Sequence, residues 1–232
     1  LSQAAFERRL ALADRIDRDF KQHHAGRQIE AYDRMYADAV RLMGSGDLAA
    51  FDIAREDEKT RARYGRSRLG QGCLLARRLV ESGVRCVEVE MAGWDMHRDL
   101  WEELPGRVGE LDAAMSALLE DLEVRGLLGS TLVVLATEFG RSPKINENAG
   151  RDHHPAVFSA VLAGAGVKPG IVHGASDAGG RVPDRDAVSV ADFNATIAAA
   201  CGLPWEKEFV AANGRPFKIG NDGKPIAAVL AG

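Results

Sequence analysis

The sequence predicts an α/β domain with a sheet at least partly parallel, preceded by a helical segment. Three observations carry that reading. Helical and strand-like segments alternate from about residue 68 onward. One strand-like run, "STLVVLATEFG", is continuously apolar, as in a strand covered on both faces. Residues 1–64 differ from this: they are charged and carry two amphipathic stripes.

In the first stripe, "FERRLALADRIDRDF" aligns Phe6, Leu10, Ala13, Ile16 and Phe20 at close to helical spacing. "IEAYDRMYADAVRLM" does the same with Ile29, Tyr32, Met35, Tyr36, Ala39 and Met43, and core packing is the expected use of both stripes. "GSGD" at 44–47 ends the second helix, with Asp47 placed to cap the next turn. His23 and His24 read as a solvated helix terminus.

Beyond residue 64 the pattern changes. "RLGQGCLLARRLVESG" is an amphipathic helix ending at Gly83, with its arginines on a solvated face. "VRCVEVEMAG" is a β-branched run that fits a strand. "LDAAMSALLEDLEVRGLLG" is a helix with a wide apolar face, and "AVFSAVLAGAG" is a third strand after "STLVVLATEFG". In "SVADFNATIAAACG", Ser189 is the N-cap, Asp192 stands at the third helical position and Gly202 is the stop. The tail "GRPFKIGNDGKPIAAVL" reads as a hairpin turning at "NDG". Two regions follow: 1–64, a helical segment packing on the core, and 65–232, the α/β domain.

Composition excludes some function classes. The net charge of −4, from 30 basic and 34 acidic residues, provides no general basic field for nucleic acid. No apolar stretch reaches the roughly 18 residues of a membrane span. The three cysteines form no CxxC and read as buried free thiols. No export signal is visible in the chain, which begins at Leu1.

Chemistry gathers at the strand ends, where open α/β sheets place their sites. "MAGWDMHRD" carries Asp95 and His97 two residues apart, a spacing that presents a carboxylate and an imidazole to one side of an extended segment. That pair suits a zinc-like or manganese-like ion; a surface turn with a capping aspartate is the alternative. "ATEFGRSPK" carries Glu138, either ligand, base or anchor, and Arg141, whose fork matches sulfate or phosphate. A salt bridge between those two is the other reading. "GRDHHP" adds Asp152, His153 and His154, of which one histidine faces the site and the other faces solvent or packs. There is no GxSxG, no activated cysteine motif and no phosphate-cradling glycine loop.

The segments "YGRSRLGQGCLLARRLVESGVRCVEV", "GWDMH", "TEFGRSPKIN", "GRDHHPAVFSAVLAGAGVKPGIVHGASD" and "VADFNATIAAACGLP" resemble the bacterial domain-of-unknown-function 1501 family. That family is similar to the alkaline phosphatase and sulfatase superfamily. The resemblance implies an alkaline-phosphatase-like sandwich with a largely parallel sheet. It further implies export or a periplasmic location, and a divalent metal ion: zinc, manganese or calcium. By the same analogy Asp95 and His97 match a ligand pair, "TEFG" a dipeptide position and His153 the last histidine ligand. Phe139 stands where that dipeptide carries a histidine. The likeness is to the C-terminal portion of a full member.

Candidate metal ligands are therefore Asp95, His97, Asp152 and His153, and candidate catalytic residues are Glu138 and Arg141. The function expected is a metal-dependent hydrolase of sulfate or phosphate esters acting on an anionic small molecule or sugar ester. The alternatives are a non-catalytic binding or assembly protein that keeps the fold, and an incomplete fragment of a larger enzyme.

Overall fold

The computed structural model describes residues 3–23 and 27–231. The chain divides into two compact units, Leu1–Asp52 and Ile53–Gly232. Among the described residues no helix is long and apolar enough to cross a membrane.

The first unit holds α1 (Gln3–His23), α2 (Arg27–Gly44) and a 3₁₀ stretch (Gly46–Phe51). Both helices fall on the two amphipathic segments, and α2 stops at the predicted glycine. Along these stripes Ile16, Tyr32, Met35, Tyr36 and Met43 are all exposed. Helical spacing sets a common face, but only a covering element buries it. Tyr32 and Tyr36 stack on one another one turn apart, with centroids at 6.3 Å. The expectation for His24 falls outside the described residues, as do those for the side chains of His23, Phe20, Ile29 and Asp47.

The second unit opens with a 3₁₀ turn (Ile53–Arg55) and α3 (Glu58–Arg63), whose N-cap Asp57 accepts from Thr60 N–H. Next come α4 (Arg68–Glu81), capped by Ser67, and α5 (Leu100–Val124). Helices α4 and α5 pack together, and the small Ala114 and Ala117 let Tyr64, Leu69, Cys73 and Leu74 close around them. Val89 and Met91 pack on this cluster from the segment between the helices. That segment, the predicted first strand, joins no ladder among the described residues.

The arginines of α4 do not all lie on a solvated face. Arg77 is 1% exposed and bridges Glu56 (2.8 Å), Glu81 (2.5 Å) and Asp121 (3.2 Å). Burial alone would weaken its charge, but the carboxylates outweigh it and hold its pKa above the ordinary value. Asp121 also accepts from the buried Tyr64 hydroxyl (3.0 Å) and from Arg63 (2.6 Å). Burial, then the charge of Asp121, pushes the Tyr64 phenol up. The thiols also divide: Cys73 is buried, whereas Cys86 and Cys201 are exposed rather than packed.

The remaining elements are β1 (Leu132–Leu135), β2 (Gly140–Arg141), β3 (His153–His154), β4 (Val161–Gly164), β5 (Ala175–Ser176), β6 (Pro183–Arg185), α6 (Val190–Ala200), β7 (Glu208–Val210) and β8 (Pro216–Lys218). The ladders among the described residues are β1–β4, β2–β3, β5–β6 and β7–β8, each two-stranded and antiparallel. Val134 and Val161, on the apolar β1–β4 pair, are 37% and 47% exposed, so this ladder is open where the sequence reads as covered.

Helix α6 begins as its sequence predicts. Ser189 Oγ accepts from Asp192 N–H (3.0 Å) and donates to the Asp192 carboxylate (2.7 Å). The tail hairpin turns earlier than predicted. Ala211 N–H bonds Arg215 O across Asn213-Gly214, while the "NDG" turn follows β8 and presses on the start of α6. Both dipeptides are turn signals, and docking on α6 decides their roles: Lys224 N–H reaches Asp192 (2.7 Å) and Ile226 N–H reaches Thr196 (2.9 Å).

Candidate metal centre

The chain approaches α5 through two successive three-residue turns. Met96 N–H bonds Trp94 O (2.9 Å) and His97 N–H bonds Asp95 O (3.1 Å). Met96, between them, is buried and anchors the loop. Asp95 and His97 flank that anchor and face the same way, as their spacing predicts.

The facing loop runs from β2 to β3. Their ladder sets Gly140 opposite His154 and Arg141 opposite His153. Side chains alternate along a strand, so the two histidines leave on opposite faces. His153 turns to Asp95, while His154 donates its Nε2–H to Arg181 O at 2.7 Å.

Backbone bonds clamp the loops together. Arg151 N–H meets Met96 O (3.0 Å), Asp99 N–H meets Asn148 O (3.1 Å) and Leu100 N–H meets Ala149 O (3.0 Å). Gly150 permits this approach, since a Cβ there would fall inside the His97 carbonyl group. Ala149 holds a left-handed φ of 57° beside it, a sign of local strain.

Three donor atoms converge between the loops. His153 Nε2 lies 2.8 Å from Asp95 Oδ1, His97 Nε2 lies 3.0 Å from that oxygen, and the two nitrogens are 3.1 Å apart. Donors bound at about 2.0–2.2 Å from one ion, at right-angled to tetrahedral openings, stand roughly 2.8–3.6 Å apart. The triad is spaced to hold a metal ion. It is the group of metal-ligating type that converges among the described residues.

Asp152, expected among the ligands, stands behind His97, with its Oδ1 3.0 Å from His97 Nδ1. A carboxylate there holds the proton on Nδ1 and leaves the Nε2 lone pair facing the triad. The bond to His97, then one from Asn146, lowers the Asp152 pKa. At Asp95, bonds from His153 and then Arg141 hold the carboxyl at about 2.

Arg141 belongs to the site. Its Nη2 donates to Asp95 Oδ1 at 2.6 Å, so its carboxylate partner is Asp95 and not Glu138. Its guanidinium lies 5.9 Å from the centre of the Phe139 ring, and that ring packs on His153 at 4.7 Å. Phe139, at the position where the family likeness implies a ligand, thus supplies an aromatic wall. Glu138 is exposed and makes no hydrogen bond or ion pair among the described residues.

Asn146 has no counterpart among the residues singled out from the sequence. Its Nδ2 donates to His97 O and to Asp152 Oδ1, both at 3.0 Å. Its Oδ1 accepts from Asn148 N–H (3.0 Å) and Gly150 N–H (2.9 Å). The available signal was the closely spaced pair in "KINEN", since asparagine side chains bond backbone two residues on.

The family model described as Protein of unknown function (DUF1501) matches residues 1–230. No curated protein and no solved structure matches the chain.

Proposed function

On the premise that the chain belongs to the DUF1501 family, we propose that it is a metal-dependent hydrolase of sulfate or phosphate esters. The observation that carries the reading is the convergence of Asp95, His97 and His153 beside the Arg141 guanidinium. Those three residues would hold the divalent cation. Two imidazoles and a carboxylate favour zinc or manganese over calcium, which prefers oxygen donors throughout. When bound, such an ion supplies Lewis acidity toward an anionic ester.

The side chains divide the remaining work. Asp152 keeps the His97 proton on Nδ1, so that Nε2 stays a donor to the cation. Arg141 offers a planar fork that pairs two oxygens of a sulfate or phosphate group. Glu138, without an ion-pair partner among the described residues, is assigned the general-base role on its position in "TEFG", next to Phe139. The alkaline-phosphatase-like sandwich with a largely parallel sheet rests on the family likeness and on the alternating helical and strand-like runs. Export rests on the likeness alone.

A second reading, metal and anion binding without turnover, draws support from Phe139. Its ring packs against His153 at 4.7 Å, at the position where the family likeness implies a histidine ligand.

Elemental analysis of the purified chain and of His97→Ala and His153→Ala, with sulfatase and phosphatase substrate panels, tests both. One ion per chain, lost in both variants, together with turnover supports the hydrolase. An ion without turnover favours the second reading, and folded protein that takes up no ion overturns both.

A further inference from the structure

Arg141 occupies ground that the metal needs. Its Nη2 stands 2.6 Å from Asp95 Oδ1, closer than the 2.8 Å of His153 Nε2 and the 3.0 Å of His97 Nε2 to that oxygen. Three nitrogens therefore crowd one oxygen atom, which has about two lone pairs to give. A divalent ion bound by the triad takes one of these. The guanidinium would then face a second positive charge within hydrogen-bonding range, and like charges at that distance repel. The guanidinium and the ion are alternative counter-charges for Asp95.

The geometry points to a coupled device: Arg141 and the divalent ion compete for Asp95 Oδ1, and the displaced guanidinium becomes the receptor for a tetrahedral oxyanion. The inference rests on the metal reading given above.

Three contacts keep a displaced Arg141 at the site. Its backbone is fixed in β2 opposite His153. Its Nη1 donates to Arg151 O at 3.3 Å. Its guanidinium rests near the Phe139 ring at 5.9 Å, a face that attracts cations. Leaving Asp95 is then a short swing of the fork rather than a departure. The fork arrives without its carboxylate partner, next to a cation, and sulfate or phosphate satisfies both charges. Phe139 gains a purpose here, because its ring is the surface beside which the guanidinium rests.

Coupling of this kind is reciprocal, so the oxyanion raises metal affinity by the factor by which the metal raises oxyanion affinity. Calorimetric titration of the full chain with zinc, with and without sodium sulfate at ionic strength matched by sodium chloride, measures it. In the unaltered protein sulfate tightens zinc binding by about 5-fold or more, the lower bound of ordinary coupling. Arg141→Ala binds zinc more tightly than the unaltered protein without sulfate, and sulfate no longer changes that affinity. Arg141→Lys keeps the charge but not the fork, so it keeps zinc binding weak and shows reduced sulfate coupling; it also serves should the alanine variant not fold by circular dichroism. No zinc binding by the unaltered protein removes the metal reading and this inference with it. Zinc binding that neither sulfate nor either substitution alters leaves the metal reading in place and overturns the competition.

Discussion

Replacing Asn146 with alanine removes four hydrogen bonds that hold the candidate site together. Two of them, to His97 O (3.0 Å) and from Gly150 N–H (2.9 Å), are partly buried. The other two, to Asp152 and from Asn148, are exposed, and water replaces them. At about 0.5–1.5 kcal/mol net for each partly buried bond, Asn146→Ala loses roughly 1–3 kcal/mol of stability. The effect on metal is separate. Asn146 holds the His97 backbone and the carboxylate behind the His97 ring, and outer support of that kind is worth about 10–100-fold in metal affinity. Urea unfolding followed by circular dichroism reads the first quantity, and zinc titration reads the second. Asn146→Asp separates them, because it keeps the acceptor for Asn148 and Gly150 but sets a carboxylate oxygen against Asp152. That variant keeps the Gly150 bond but loses the one to His97 O, so it retains about half of the stabilisation and loses zinc affinity. Unchanged zinc affinity in both variants would refute the view that Asn146 organises the site, and an unchanged unfolding midpoint in the alanine variant would refute the hydrogen-bond account.

Two further outcomes follow from the packing. Gly150→Ala drives a methyl group into the His97 carbonyl; zinc binding is lost while far-ultraviolet dichroism still shows the helices, and a variant that binds zinc normally contradicts the close approach. At Glu56, burial pushes the carboxyl pKa up, but Arg77 and Arg78 prevail and hold it below the ordinary 4.5. A depressed folded-state pKa contributes stability that is complete above pH 4.5 and is lost as pH falls through the folded value. Glu56→Gln is therefore less stable near neutrality and declines less steeply in acid; parallel pH–stability curves for the two proteins would count against this ion pair.

Local signals proved legible wherever the chain acts on itself over a few residues. The Asp95/His97 spacing needed only one short loop to give a common face. The Ser189/Asp192 cap is complete within one helical turn. That His153 and His154 face opposite ways follows from strand alternation; the choice of His153 for the site came from the family likeness. What stayed hidden depends on partners brought from elsewhere. Arg77 reads as a solvated helix residue until Glu56 and Asp121 arrive from other elements to neutralise it. Asn146 bonds one backbone carbonyl and two backbone amides, partners that carry no residue signature. The sites of turning in the tail were ambiguous because "NG" and "NDG" are both good turns, and packing against α6 chooses between them. The stripes of α1 and α2 announce helices correctly, yet a stripe names no partner.

His153 and His154 share one peptide unit, so the candidate site and the β5–β6 hairpin are joined through neighbouring residues. His154 is fastened to the carbonyl of Arg181, in the loop of that hairpin. One two-residue strand thus serves two faces: His153 is turned to Asp95, and its neighbour ties the β2–β3 ladder to the loop of that hairpin.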